Sequence, residues 1–239
     1  MIDMYEIVRP GDRVDIESAD GREGSEKKYY ITKVYDIKED NLAEIMMPME
    51  KTHLIVLSVG AQYELFFYAG KGIYACRAEV VDRRNDNGVA VAVLQPITAL
   101  QRHQRREYYR YDCIIGMNAR ELSDQEAAIY EEKGRMDLLA EPADKAVIVD
   151  ISGGGVRFVS AAHYESGKLV HCRFILPVKG VNKAHDLVVR ILSAVPVANS
   201  NVNKEYRGQY LKLEEGDRED IIRFIFEEER KVRAKQHGY

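Results

Sequence analysis

Three cysteines in 239 residues, Cys76, Cys113 and Cys172, are too few and too far apart for a disulfide scaffold, and no CxxC pair offers half of a structural zinc site. They suit a reducing compartment. The longest apolar runs, such as Leu54–Val59 and Val89–Leu94, span six residues, whereas a membrane-spanning helix needs about 20. Met1–Glu6 has neither a basic n-region nor an apolar h-region, so no secretory signal is expected and the reading is cytoplasmic. There is no excess of positive charge: 35 Lys and Arg against 39 Asp and Glu leave a net charge of −4, which disfavours a protein that coats nucleic acid. Catalytic patterns are missing too. The six histidines, His53, His103, His163, His171, His185 and His237, follow no metal-ligand spacing such as HExxH, and no Ser-His-Asp or Cys-His arrangement assembles from local motifs. No catalytic residue, metal or cofactor is expected, and each histidine reads as structural or solvated, with His103 the one to follow.

What is present is the balance of an ordinary globular protein, 46% apolar and 31% charged. The length suggests two small domains. From residue 10 to about 96, short β-rich runs alternate with turn residues, the signature of a small barrel or sandwich with few helices. Strands are expected over Arg13–Glu17, Lys28–Ile37, Leu42–Met46, Thr52–Ser58, Glu64–Tyr68, Ile73–Asp82 and Val89–Leu94. Turns fall at Ala19-Asp-Gly-Arg, at Gly70-Lys-Gly and at Asn85–Gly88, where Asn87-Gly88 favours a tight hairpin because both residues tolerate positive φ.

Strand alternation stops after Pro96 and arginine clusters, which places a linker over 97–111. A second β-rich set follows, over Tyr108–Met117, Lys145–Ile151, Val156–Val159, Lys168–Leu176, Leu187–Val197 and Tyr206–Leu213. Between its first two strands, Leu122–Leu139 reads as a short helical excursion capped by Ser123. Asp217–Gln236 is an amphipathic helix, with Ile221, Phe224, Ile225 and Val232 near one face and Glu227 and Glu229 four residues before Lys231 and Arg233. Its polar face is acidic as often as basic, which favours packing on the second barrel over a membrane surface.

Two segments carry chemistry. Gln101–Tyr111 holds Arg102, Arg105, Arg106 and Arg110 against Glu107 alone. An arginine fork pairs with phosphate oxygens or with O6 and N7 of guanine, and its plane stacks on a purine. Read alone, the cluster is also what a solvated linker looks like, and Tyr108, Tyr109 and Tyr111 read as strand core or barrel rim. The second segment, Asp150-Ile-Ser152-Gly-Gly-Gly155, joins two strands. Asp150 can accept from the N1–H and N2–H₂ edge of guanine, Ser152 can donate to phosphate, and Gly155 can supply positive φ or an unobstructed surface. Read alone, this is also a tight hairpin. No Gly-Lys-Ser/Thr follows, so it is not a P-loop.

Taken together and in this order, Arg106-Glu-Tyr-Tyr-Arg110 (RxxxR, preceded by Arg105) and Asp150-Ile-Ser152-Gly-Gly-Gly155 ((D/N)xSxxG) closely resemble the PilZ domain, a receptor for the bacterial second messenger cyclic di-GMP. Gly11-Asp12, Pro48 and Gly60, in a β-rich module ending at Gln104-Arg-Arg, resemble the N-terminal partner domain of YcgR-type flagellar brake proteins. The resemblance covers nearly the whole chain. It implies a mainly β protein with two small barrels in tandem: an N-terminal split barrel over 1–96, and over 104–239 a PilZ six-stranded antiparallel barrel with a C-terminal helix. It implies cyclic di-GMP clamped by Arg105, Arg106, Arg110, Asp150, Ser152 and Gly155, two molecules per chain because an arginine precedes RxxxR, and a flagellar motor stator or rotor protein as partner. The protein would be a non-enzymatic regulator of motility, cytoplasmic and recruited to the flagellar basal body, in which the ligand rearranges the domains. One departure stands out: 39 residues separate Arg110 from Asp150, more than the family pattern leads one to expect, and the excursion over 122–139 accounts for them. That excursion is either a partner surface or an insertion without a role. The competing binding class is a single-stranded RNA-binding protein of two barrels, against which the net charge and the lack of a basic stripe elsewhere argue.

Overall fold

The computed structural model describes residues 3–18, 28–38, 41–70, 72–134, 141–198, 200 and 202–236. The chain divides into two compact units, Met1–Arg105 and Arg106–Tyr239. The turn expected at Ala19-Asp-Gly-Arg and residue His237 lie outside the described residues.

The first unit opens with a one-turn helix, α1 (Met4–Ile7), that the sequence reading did not anticipate. Asp3 caps it by accepting from the Tyr5 amide, and Met4 is buried beneath it. The strands that follow are β1 (Arg13–Ser18), β2 (Tyr29–Ile37), β3 (Ala43–Met46), β4 (Met49–Glu50), β5 (His53–Leu54), β6 (Gln62–Ala69), β7 (Gly72–Asp86), β8 (Val89–Pro96) and β9 (Gln101–Arg102). Strand β6 shows the cause of the fold most plainly: Gln62-Tyr-Glu-Leu-Phe-Phe-Tyr-Ala69 alternates half-buried and buried residues, sending Leu65 and Phe67 into the core. All pairings are antiparallel, in the order β6-β1-β2-β3-β8-β7. The long β7 also pairs through its first half with β6, which closes the ring. Between β7 and β8, Asn87 (φ 51°) and Gly88 (φ 86°) form the expected hairpin turn.

The strand expected over Thr52–Ser58 is not formed. Only the two-residue hairpin β4–β5 pairs there, and the Ile55 amide bonds the carbonyl of Pro48. Pro48 has no N–H to return, so the ladder stops. The stretch expected as a linker differs by halves. Leu100 is buried and β9 pairs with β7, so residues up to Arg105 fold with the first unit.

The second unit is a closed six-stranded antiparallel barrel, β10-β11-β12-β15-β14-β13, built from β10 (Arg110–Glu121), β11 (Asp144–Ser152), β12 (Gly155–Ser160), β13 (Leu169–Val178), β14 (Val181–Pro196) and β15 (Lys204–Leu211). Phe158 stacks on Tyr206 at 5.2 Å between ring centroids, and Tyr164 meets Tyr206 edge-on at 5.1 Å. The excursion holds α2 (Asp124–Lys133), with a complete capping box between Ser123 and Glu126 and a left-handed Gly134 (φ 67°) at its end. Residues 135–139 of the expected helix lie outside the described residues. The helix is docked on the barrel: Tyr130 is buried with Leu122, Leu169 and Val188, and its hydroxyl donates to the Leu211 carbonyl at 3.1 Å.

Helix α3 (Glu215–Gln236) buries Ile221, Phe224 and Ile225 in the barrel core, each contributing on the order of 1.5–3 kcal/mol. Val232, expected on the same face, is 42% exposed, and Lys231 pairs with Glu228 rather than Glu227. Arg233 does pair with Glu229, at 3.5 Å. No described helix is long and apolar enough to cross a membrane.

Candidate functional site

The two arginine and glycine motifs are 39 residues apart in the chain and adjacent in the sheet. Arg110 opens β10 directly opposite Ser152, the last residue of β11, and Ser152 in turn lies opposite Gly155, the first residue of β12. A two-residue turn, Gly153-Gly154, joins these two strands. Sheet register, rather than sequence proximity, therefore sets the last arginine of RxxxR against the glycine turn. An open cleft of about 550 Å³ lies there, lined by Arg106, Tyr108 and Arg110 from one motif and by Asp150, Ser152, Gly154 and Gly155 from the other.

Each side chain has a local reason for its place. Ser152 is buried; its hydroxyl donates to the Gly155 carbonyl at 3.1 Å and accepts from the Gly154 amide at 3.3 Å, which fixes the turn. Asp150 lies 3.5 Å from Nε of Arg157, which also reaches Glu205 at 3.0 Å and Asp112 at 3.4 Å. The Asp150 carboxylate is thereby steered while keeping acceptor capacity towards the cleft.

The glycines work differently from the sequence reading. Gly155 has no positive φ. It is required because a Cβ there would sit 2.2 Å from the Gly208 carbonyl oxygen, so close is β12 to β15. The surface of the turn is not unobstructed either. The Tyr108 ring lies on it, and a Cβ on Gly153 would come within 2.4 Å of Tyr108 Cδ1. Arg218, from the first turn of α3, holds this arrangement: its Nη1 donates to the Gly153 carbonyl at 2.7 Å and to the Tyr108 hydroxyl at 2.9 Å. Tyr111 packs edge-on against Phe224 as barrel core, and Tyr109 is 60% exposed.

Among the residues lining the same cleft that sequence reasoning missed are Arg157, Arg207, Gln209 and Arg218. Arg157 stands opposite Arg207 in the register of β12 and β15, and Gln209 stands opposite Gly155. The alternation of β15, with Tyr206 inward, already turned Arg207 and Gln209 outward. The missing knowledge was that β15 pairs with β12. Among the described residues, Arg110 and Arg207 make no side-chain hydrogen bond or ion pair, so the cleft holds uncompensated positive charge.

The structure does not bring Arg105 to this cleft. Its side chain belongs to the first unit, where Nη1 donates to the Tyr68 hydroxyl at 2.6 Å and the guanidinium lies 5.2 Å from the centre of the Tyr68 ring.

Elsewhere, all three cysteines are free, and burial pushes their thiols up, to about 12 for Cys76 and Cys113, so none is a thiolate at neutral pH. His171 and His185 are buried against Asp186 and Asp217, each at 2.8 Å, and His103 packs edge-on against Phe66 at 5.0 Å. Among the described residues one His-carboxylate group, His185, Asp217 and Asp220, places ligand atoms within 4.8 Å of one another. Lys183 already occupies the Asp220 carboxylate.

A family model described as "PilZ domain" matches residues 104–227, and one described as "Flagellar protein YcgR" (PilZNR) matches residues 9–96. The chain belongs to the PilZ domain family. In fold, this PilZ protein is similar to the Bacillus subtilis inhibitor of motility MotI/DgrA, with a TM-score of 0.72 at 17% identity over 94% of this chain and 99% of that one. A second similar structure is Escherichia coli YcgR in complex with c-di-GMP, with a TM-score of 0.47 at 14% identity over 95% of this chain and 88% of that one. No curated protein gave a match. The PilZ match begins at Gln104 and so takes in both motifs and every residue of the cleft.

Proposed function

We propose that this PilZ protein is a non-enzymatic receptor for cyclic di-GMP that regulates flagellar motility through a ligand-induced change between its units. The observation that carries the reading is the cleft of the second barrel, where Arg110 faces Ser152 across the sheet, Asp150 stands beside them, and Arg106, Arg157, Arg207 and Arg218 line the remaining walls. A dianionic ligand with two guanines needs cations for phosphate, planar forks for O6 and N7, and a carboxylate for the N1–H and N2–H₂ edge. All three occur within one cleft. The N-terminal match to a domain described as a flagellar protein supports motility as the output, with a motor stator or rotor protein as the partner and the flagellar basal body as the place of action.

Two ligands bind each chain, mutually stacked, with Arg105 stacking on the second. The last residues of the first unit and the first arginines of the second then engage one ligand body, and the ligand biases the arrangement of the units by its differential affinity for the two states. Calorimetric titration of cyclic di-GMP, with cyclic di-AMP and GTP as controls, tests the ligand. The expected ratio is two per chain, falling to one in Arg105→Leu, and a ratio of one in the wild type rejects the stacked pair. Small-angle scattering and hydrogen exchange over Pro96–Tyr111 test the rearrangement, and unchanged profiles at saturation reject it.

A further inference from the structure

Tyr68 stands between the leading arginine of the ligand motif and a buried carboxylate. Asp15, on β1, is 1% exposed, and both of its oxygens are taken. Arg13 donates through Nε at 2.7 Å and Nη2 at 3.0 Å, Tyr29 donates its hydroxyl, and Tyr68 donates its own at 2.5 Å. Burial alone would push the Asp15 carboxyl up, but the hydrogen bonds from Arg13, Tyr29 and Tyr68 outweigh it and hold it below the usual range. With its proton committed to Asp15, the Tyr68 hydroxyl offers a lone pair outward, and Arg105 fills it. The Tyr68 ring carries two guanidiniums, Arg13 at 4.7 Å and Arg105 at 5.2 Å from its centre.

The charges do not balance. Of the two arginines on the Tyr68 ring, Arg13 is bonded to the Asp15 carboxylate and Arg105 is not. Arg105 is exposed and is retained by a neutral hydroxyl and the face of a ring. An anionic ligand offers the Arg105 fork a full opposite charge and paired acceptor oxygens, neither of which the Tyr68 hydroxyl supplies. We propose that Tyr68, oriented by Asp15, is a positioning residue that seats Arg105 on the N-terminal barrel in the unliganded protein, and that an anionic nucleotide must draw Arg105 off this seat to bind it. The inference rests on the cyclic di-GMP reading above for its ligand, and on the first unit alone for its geometry. It gives the N-terminal unit a direct hold on the motif: Arg105 adjoins Arg106, which lines the cleft of the second barrel, and the two Cα atoms are about 3.8 Å apart by covalent geometry. Affinity measured on the whole chain is then lowered by the fraction of molecules in which Arg105 is seated.

The test has one arm without ligand and one with it. Trypsin cuts after an arginine only when that side chain enters its specificity pocket, so the cut after Arg105, compared with the cut after Arg106 by mass spectrometry, reports whether Arg105 is seated. Tyr68→Phe keeps the ring and removes the hydroxyl. It should speed the Arg105 cut about fivefold, the worth of one hydrogen bond, and leave the Arg106 cut unchanged. Tyr29→Phe also takes a hydroxyl from Asp15 but does not touch Arg105, and should leave both cuts unchanged. In calorimetry, Tyr68→Phe should bind cyclic di-GMP more tightly by about the same factor, and the gain should vanish in an Arg105→Leu background. An unchanged Arg105 cut, or an equal increase in Tyr29→Phe, overturns the seat. A faster cut with equal or weaker binding overturns the competition. If wild type binds no cyclic di-GMP, the functional reading fails while the cleavage arm still decides the seat.

Discussion

The two barrels of this chain both close into rings, and they differ in where they gather arginines that have no carboxylate partner. In the first, Arg13 is bidentate on Asp15, Arg84 is bidentate on buried Glu44 with both contacts at 2.7 Å, and Arg105 rests on the Tyr68 hydroxyl. In the second, Arg157 is satisfied by Glu205 and Asp150, while Arg110 and Arg207 line a cleft without a side-chain partner among the described residues. Barrel closure therefore does not mark the proposed ligand site. What marks it is charge left uncompensated where two strands and a turn meet.

The sharpest way to break this comparison is through backbone packing. Gly155→Ala forces a Cβ against the Gly208 carbonyl and should cost at least about 3 kcal/mol, the upper end of overpacking penalties, read as a lower urea midpoint. Gly60→Ala in the first barrel meets open space at φ 84° and should cost only about 1–2 kcal/mol of backbone strain. Equal costs at the two glycines would remove the tight β12–β15 approach as the reason for Gly155.

Next in size is an arginine exchange. Arg110→Ala removes no internal partner, so the melting temperature should stay unchanged while cyclic di-GMP binding falls at least about tenfold, from the 1–3 kcal/mol of one bidentate contact. Arg106→Ala should also lose binding about tenfold. Arg84→Ala should do the reverse, leaving binding intact and costing about 2 kcal/mol because Glu44 stays buried without its fork. Unchanged affinity in both Arg106→Ala and Arg110→Ala refutes the cleft as the site.

A smaller effect is read in acid. The Asp15 carboxyl is held below its ordinary range in the folded state, so its contribution is fully present above about pH 4 and is lost as pH falls through the depressed value. Asp15→Asn should be less stable than wild type at pH 7, and the gap should narrow in melts below about pH 4. The smallest effect is Ser152→Ala, which removes two turn bonds and should cost about 1 kcal/mol, with a loss of binding milder than at Arg110. Asp150→Ala should act on binding in the same direction as Ser152→Ala, and also less strongly than the arginines.

Legibility in the sequence followed the range of the interaction. The alternating strand expected over Glu64–Tyr68, found as Gln62–Ala69, the Asn87-Gly88 hairpin and the Ser123 cap depend on neighbours within a few residues and could be read directly apart from the strand's end residues. Helix α1 could not, because a single turn buries one residue, Met4, and leaves no periodicity. The Thr52–Ser58 run has the composition of a strand but no partner long enough to pair with it. In the site, the motif residues were visible as types in order, whereas Arg157, Arg207, Gln209 and Arg218 depend on which strand lies beside β12 and where α3 begins. The role of Tyr108 was hidden for the same reason. Only the folded turn shows that Gly153 and Gly154 are small because a ring lies on them.

The register of β12 with β15 also bears on how the protein is made. The cleft draws its walls from both ends of its unit in chain order, from Arg106 at the start to Arg207 and Arg218 near the finish. A chain still emerging from the ribosome, with residues 204–236 not yet synthesised, has an open sheet edge at β12, no Arg207 and no Arg218. A chain that stops before residue 204 therefore lacks two of the arginine walls of the cleft and, on the receptor reading proposed above, is expected not to bind cyclic di-GMP.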